Sequence, residues 1–529
     1  MNRITKGAAS ALLLTLLLVT GVRAQTITAA SCNQSDVQKA LNSVTSSTTT
    51  VNIPSGTCTW TSQITFVVPS GSTTLSILGA GSLSTVGGGD VTNIIDNDTA
   101  DSNWLLSITT GPASSLFRIA GVTFEAGSGT QKQNGMVILG GLSQNVRFDH
   151  IHLLQTTSTS GETIFLRIVG WQYGVSDHIL GDGNVYIQPM LDTYGSGSAN
   201  FGDNSWAAAT GFGSSAAWFI EDSTFNAPAA VGGQYNNYMT DCYQGGRLVV
   251  RHNTLNNYGV DEHPTGGAGR WRGCRSVEIY DNTMNGNTST PTFTGFFDSS
   301  ATALVWGNNL GNGFESLIWL VSARNGYDYA QTATPNGWGY CGTTFNGNGS
   351  NWDQNVAPAN GYACLDQPGR GKSDLLNATD FSGALNTVTG TIAWPHQTLE
   401  PIYEWLDQWQ PTSYAPSRPM IVLEDTTHDS NTFIQNRDWY QYTLTWNGSA
   451  FTGTAFNGTV GTGSGLLSAR PSTCAPLVAY WATDTNTLYQ CATANTWTTY
   501  YTPYPYPHPL TETASVPAPP TKVQAISPP

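Results

Sequence analysis

Charge is the scarcest property of this chain. Charged residues are 10% of its 529 positions, and 35 acids against 20 bases leave a formal net charge of −15. A field of that sign repels phosphate, which excludes nucleic acid as a general partner. Beyond the first 24 residues no apolar run is long enough to span a bilayer, so no membrane anchor is expected once that segment is removed. None of the 8 cysteines has a partner at the C-x-x-C spacing of zinc and redox sites. Extended disorder is also excluded, because 39% of the residues are hydrophobic. What is plentiful is glycine, 57 residues of it, with Ser, Thr and Asn, a mixture that suits many short strands and turns.

Residues 1–24 read as a secretory signal, with Arg3 and Lys6 ahead of "AASALLLTLLLV" and the small-residue site "VRA" before Gln25. Its removal leaves 529 − 24 = 505 residues and takes three bases and no acid, so the charge falls to −15 − 3 = −18. A secreted protein, extracellular or periplasmic, meets oxidising conditions, where an even number of cysteines is expected to bridge. Of the permitted connectivities, the expected one joins sequence neighbours: Cys32–Cys58, Cys242–Cys274, Cys341–Cys364 and Cys474–Cys491.

A repeat organises the middle of the chain. "FRIAGVTF" (117–124), "VRFDHIHL" (146–153), "WFIEDSTF" (218–225), "LVVRHNTL" (248–255), "VEIYDNTM" (277–284) and "ALVWGNNL" (303–310) align with positions 1, 3 and 8 apolar throughout; "YGVSDHIL" (173–180) is a looser copy. Where no insertion intervenes, copies begin 29, 30, 29 and 26 residues apart. Alternation followed by a polar pair reads as strand then turn. A unit this short cannot bury its apolar face alone, so copies must stack as a β-solenoid.

The repeat, with Asn in its turn column, resembles the right-handed parallel β-helix of the pectate-lyase-like superfamily. The helix-like "SDVQKALNSV" would plug the open end, and "TTTVNIPSGTCTW" is similar to a first strand and turn of that group. The resemblance implies an all-β fold over about residues 30–320, on a scaffold that hosts lyases, hydrolases, esterases, depolymerases and adhesins. The expected division is signal 1–24, N-terminal cap and first coil 25–60, β-helix 61–320, loop-rich decoration 321–430, a β-hairpin module 431–502 and a Pro-rich tail 503–529. Within 321–430, "PHQTLEPIYEWLDQW" is expected to be a short helix packing Trp405 and Trp409 on the solenoid.

One basic patch interrupts the acidic chain: Arg247, Arg251, Arg270, Arg272 and Arg275 fall within 29 positions. The polygalacturonase motifs and the Arg-x-Pro-x-x-Arg element of classical pectate lyases are absent. "RWRGCRSVEIYDNTM" is similar instead to a stretch of the alginate lyase and chondroitinase B family, where an arginine works at the scissile bond and a lysine is the base. Arg272 matches that arginine and Arg270 is its register-shifted alternative; no lysine lies between Lys132 and Lys372. β-Elimination on a uronate polymer needs its carboxylate neutralised, a base for the C5 proton and an acid for the leaving oxygen. Arg251, Arg270 and Arg272 are the candidates for the carboxylate and His263, in a Gly-rich loop, for the base. Tyr243 is the candidate acid, with Asp241 beside it across the expected Cys242–Cys274 bridge.

Strand alternation points positions 1 and 3 inward and positions 2 and 4 outward, so Phe219 and Val249 are expected to be exposed. Position 4 would form an outer column that includes Glu221, Arg251, Tyr280 and Trp306, suited to stacking and gripping a sugar chain. Arg247 and Arg275 would add substrate contacts. His252, in the turn column, is expected to be structural. Calcium is the candidate ion, with Glu221, Asp222 and Asp281 as weak oxygen ligands. The function expected is a secreted polysaccharide lyase acting on an acidic extracellular polysaccharide. Two alternatives stay open: a glycoside hydrolase with a carboxyl pair drawn from Asp241, Asp261, Glu262, Glu221 and Asp222, and a non-catalytic polysaccharide-binding or adhesin-like solenoid.

Overall fold

The computed structural model describes residues 24–100, 103–127, 135–155, 163–183, 185–190, 205–206, 208–227, 238–262, 273–286, 294–321, 366–371, 398–411, 417–424 and 433–512. The expected signal segment, His263, Arg270, Arg272 and the pair Cys341/Cys364 lie outside them.

Each repeat folds as two short strands around a tight corner, and the copies stack into a right-handed parallel β-helix. Positions 1–4 build sheet I, whose twelve described strands run in order from Gln25–Thr28 to Trp439–Tyr440. Positions after the corner build sheet II, nine strands from Gly56–Trp60 to Asn309–Leu310. Sheet III closes the coil with five strands, Ile64–Val67 to Val185–Met190, then four from Val260–Asp261 to Ile421–Leu423. Bridges Ile187–Thr240 and Tyr238–Gly259 connect the two sets.

The register follows the sequence alignment: Phe117 pairs with Val146, Trp218 with Leu248, Leu248 with Val277 and Val277 with Ala303. One copy is shifted. Gly174, not Tyr173, stands opposite Val146 and Trp218, so Asp177 occupies position 4 and His178 position 5. Position 5 is left-handed in copy after copy: His150 (φ 51°), His178 (55°), Asp222 (51°), His252 (55°) and Asp281 (54°), with Gly121 and Gly307 in the same column. Asp, Asn and His tolerate that conformation better than other side chains with a Cβ, which explains the composition of the column. Position 6 then turns inward as a buried ladder. The Asn253 carboxamide oxygen accepts from Ser223 N, that of Asn282 from Asn253 N, and that of Asn308 from Asn282 N, each at 3.0–3.1 Å.

The coil resumes after a long interruption. "IYEWLDQW" (402–409) is a further copy rather than the expected helix: Ile402–Trp405 is a strand of sheet I, paired with Thr302–Trp306. Asp407 continues the ladder by accepting from Asn308 N at 2.7 Å. The alternation is masked in sequence because Glu404 and Asp407 take inward positions; both are buried, and burial holds the Glu404 carboxyl up at about 7.

Two cores share sheet I. Its inner face joins the solenoid interior, capped at the N-terminus by the helix Gln34–Asn42 through Val37, Ala40 and Leu41. Its outer face carries a second core, in which Phe219, Val249, Leu304 and Tyr403 pack with Val478, Trp481, Leu488 and Tyr501. Trp481, Leu488 and Tyr501 belong to a small four-stranded sheet, Thr462–Gly465, Ala479–Ala482, Thr487–Thr493 and Thr496–Tyr501, and Val478 directly precedes its second strand. Phe219 and Val249 do point outward, yet they are 0% and 1% exposed because this module covers them. Disulfides Cys32–Cys58, Cys242–Cys274 and Cys474–Cys491 pair as expected.

Asn282→Ala should cost on the order of 3 kcal/mol, since it strands the buried Asn253 N–H and two carbonyls. Urea denaturation with an unchanged m-value measures this; a loss under about 1 kcal/mol would mean that the ladder is incidental.

Candidate active site on the loop-bearing sheet

The outer column of sheet I is not a groove. Arg251 donates from Nε to Glu221 Oε2 at 2.7 Å, from Nη1 to Tyr280 Oη at 2.8 Å and to the Tyr504 carbonyl at 2.7 Å, and from Nη2 to the Pro505 carbonyl at 2.8 Å. Nη2 also lies 2.6 Å from Glu221 Oε2, so all five N–H groups are engaged. Glu221 Oε1 accepts from His508 N, and the rings of Phe219 and Tyr506 lie over the guanidinium. Arg251 and Glu221, expected to face substrate, are 0% exposed and fasten the C-terminal strap, residues 502–508, to the solenoid. Tyr280 and Trp306 stack on each other at 4.4 Å beneath the same module and form the floor of a cleft beside it.

Arg247 and Arg275 are supports as well. Arg247 Nε donates to Ser205 Oγ. Arg275 donates to the carbonyls of Ser205 and Ala208 and pairs with Glu400 at 2.7 Å. Both are buried. A buried arginine held by a hydroxyl, carbonyls or a carboxylate fastens neighbouring segments together, and burial keeps both guanidinium groups away from a ligand in solvent.

The calcium candidates do not converge. Glu221 is taken by Arg251, Asp222 accepts from Tyr506 Oη at 2.6 Å, and Asp281 stands two coils from Asp222. Ligand atoms of His150, Asp177 and His178 do lie within 4.8 Å of one another. Each imidazole Nδ1 is already held by the preceding carboxylate, His150 by Asp149 and His178 by Asp177, and the rings stack at 4.5 Å. Asp149 and Asp177 in turn accept from Arg118 and Arg147, which makes the cluster part of an ion-pair ladder.

Sheet III offers the open face. Its inward row, Leu106, Val137, Leu166 and then Val260, Phe296, Ile318, is buried. The alternate row is half-buried at Ser107, Ile138, Arg167, Asp261 and Phe297, and continues to Trp319. The guanidinium of Arg167 lies 4.8 Å over Trp104, and that of Arg418 lies 4.9 Å over Trp319 while also pairing with Glu315. Tyr238 packs at 5.7 Å from Phe297.

Connection lengths favour the same face. From sheet I to sheet II each of the seven coils from Leu116–Ala120 to Thr302–Trp306 uses two residues, although residues 79–91 intervene at this corner in an earlier coil; the other long connections, including 191–217, 227–237, 262–275 and 321–401, leave or reach sheet III. Loops on a rigid scaffold are where binding groups concentrate. The ends of the segment carrying His263, Arg270 and Arg272 are fixed: Glu262 bridges Cys242, Gly273 bridges Tyr243, and Cys242 is bonded to Cys274. Asp241 is half-buried beside this junction and Tyr243 is buried in it. Glu262 and Asp298 form a buried carboxyl pair; Glu262 accepts from Ser299 and Ser300, and burial raises it to about 7. The pair ties the loop end to the neighbouring coil.

Sequence reasoning missed Arg167, Trp104, Trp319 and Arg418. Short alternations in "IFLRIVG" and "SLIWLV" carry the signal, but they precede the aligned repeat by variable distances.

No family model matches the chain and no curated protein does. Among solved structures, an alginate lyase from Paenibacillus sp. str. FPU-7 is similar over 55% of this chain and 98% of its own, at 13% identity and a TM-score of 0.27.

Two outcomes follow from the covered column. Arg251→Met strands Glu221 and frees two strap carbonyls, so it should cost on the order of 3–5 kcal/mol. Limited proteolysis should then cut near residues 503–512 early; a strap as resistant as in the parent chain would contradict its fastening role. Glu278, bonded by Tyr501 Oη and Gly213 N, is pushed by burial up to about 7. A carboxyl raised in the folded state binds more protons folded than unfolded, so stability falls as pH rises from about 4.5 to 7. His508, pushed by burial down to about 4, opposes this below pH 6.5, but Glu262 and Glu404 add to it. Thermal melts should show higher stability at pH 5 than at pH 8, with a shallower slope in Glu278→Gln.

Proposed function

We propose that the protein is a secreted carbohydrate-active enzyme, a polysaccharide lyase that cleaves an acidic, uronate-containing polymer by β-elimination on the outer face of sheet III. The observation that carries this reading is the half-open row on that face, with guanidinium–indole pairs at Arg167/Trp104 and Arg418/Trp319 flanking Asp261 and Phe297. The half-buried phenyl ring of Phe297 suits a pyranose ring, and the guanidinium groups, held on the buried indoles of Trp104 and Trp319, suit carboxylates. From Arg167 to Trp319 the row crosses five coil steps, about 24 Å at roughly 4.8 Å each. That is room for several sugars.

In this reading Arg270 and Arg272, with Arg167, neutralise the uronate carboxylate, which makes charge at C5 tolerable. His263 takes the C5 proton, and the electron pair of that bond forms the C4–C5 double bond as the C4–O bond breaks. Tyr243 or water at the same edge protonates the leaving oxygen. Asp241 and Asp261 are placed to accept from sugar hydroxyls. These two half-buried acids also favour a second reading, a hydrolase working through them as a pair.

A panel of acidic and neutral polysaccharides, with ultraviolet absorbance and product mass as readouts, tests both. An unsaturated uronide is the expected product. Reducing ends without unsaturation would replace the lyase reading by the hydrolase, and uncut polymer would leave a binding solenoid. Arg272→Ala should lower turnover about a hundredfold through a contact made chiefly in the transition state. His263→Ala should abolish turnover and spare polymer binding.

A further inference from the structure

Where the strap crosses the outer column of sheet I, the two surfaces do not close completely. A cleft of about 740 Å³ remains between the solenoid corner and the C-terminal module, within the range of ligand-binding pockets. Its floor is aromatic. Trp306 is stacked between Tyr280, 7° from parallel, and Trp405, so these rings turn their edges to the cleft, and Trp481 of the module stands 5.1 Å from Trp306. One lip is the exposed turn between Ala479–Ala482 and Thr487–Thr493, which presents Thr483, Thr485 and Asn486. The other is the strap, ending in Tyr506, whose ring is 47% exposed and lies 3.6 Å from the His252 ring.

The chemistry of this lining is selective. It combines aromatic ring edges and the exposed Tyr506 ring with hydroxyls, one carboxamide, one imidazole and the Asp281 carboxyl, and it contains no lysine or arginine. His252 Nε2 and Asp281 Oδ2 stand 4.0 Å apart at its base. Sugars match that pattern, with apolar ring faces for the aromatics and equatorial hydroxyls for the polar groups. A polyanion does not match it: nothing in the lining balances a carboxylate, and Asp281 with Asp222 behind Tyr506 opposes one.

We propose that this cleft is a saccharide site, taking a chain of uncharged sugars, separate from the sheet III face and carried jointly by the solenoid corner and the C-terminal module. It requires no cleavage at the cleft and stands independently of the lyase reading.

Titration calorimetry on the full chain with cellohexaose, xylohexaose, mannohexaose and maltohexaose, against hexagalacturonate, tests it. One neutral hexaose should bind with a dissociation constant below about 1 mM. Tyr506→Ala, at an exposed ring, should weaken that binding at least about tenfold. Thr485→Lys, on the exposed lip, should do the same by filling the cleft and adding charge. Both variants should melt within a few degrees of the parent, and their product formation on an acidic polymer should match it. Failure of all four neutral hexaoses to bind overturns the proposal, as does binding indifferent to both substitutions. Equal or tighter binding of hexagalacturonate, with the same sensitivity, overturns the preference for uncharged sugars. Loss of acidic-polymer cleavage in Tyr506→Ala would overturn the separateness of the two sites.

Discussion

Most of this molecule is arranged around a corner that is repeated without change in length through seven successive coils, from Leu116–Ala120 to Thr302–Trp306. In these coils sheet I turns into sheet II in two residues, the first left-handed and the second, from Ser223 onward, lending its side chain to a buried ladder. An insertion there would break the ladder and leave buried amide groups without partners. Coils are therefore locked in register on this side, and sheet I presents a regular outer surface. In these coils length variation moves to the two ends of sheet III, and the long connections that follow residue 120 gather there.

That regular surface is suited to packing. Apolar and aromatic residues at positions 2 and 4 would expose a continuous patch if left bare, and the C-terminal module covers them to make a second core. Only polar groups in positions 2 and 4 needed another solution. Toward the N-terminus they pair with one another, as Arg118 and Arg147 do with Asp149 and Asp177. Under the module, Arg251 is satisfied by Glu221, a phenol and two strap carbonyls.

The opposition between scarce charge and concentrated arginine is resolved by location. Arginine's planar fork can satisfy five donors at fixed angles, which lysine cannot, so arginine is the cation this chain buries. Arg247, Arg251 and Arg275 fasten the module, the 205–208 segment and Glu400 to the solenoid. The guanidinium groups of Arg167 and Arg418 instead lie on tryptophans beside the loop-bearing face. Burial separates the arginines that fasten segments together from those that lie nearer the surface.

Local periodicity was enough to establish the solenoid from the sequence. Alternating apolar positions and a turn column of Asp, His, Gly and Asn report backbone conformation directly, and nearby cysteines report short loops closed by the same coils. Periodicity failed where a chemically special residue entered the pattern. Tyr173 mimicked a core position one residue before the true one at Gly174, and Glu404 with Asp407 hid a whole coil by placing acids inside. The fate of the outer column was beyond any local signal. Arg251 is completed by carbonyls 253 and 254 positions away, and no spacing within a repeat encodes that a distant module will dock there. Outward direction is a property of the strand; exposure is decided by what packs on it, and only the tertiary structure supplies that.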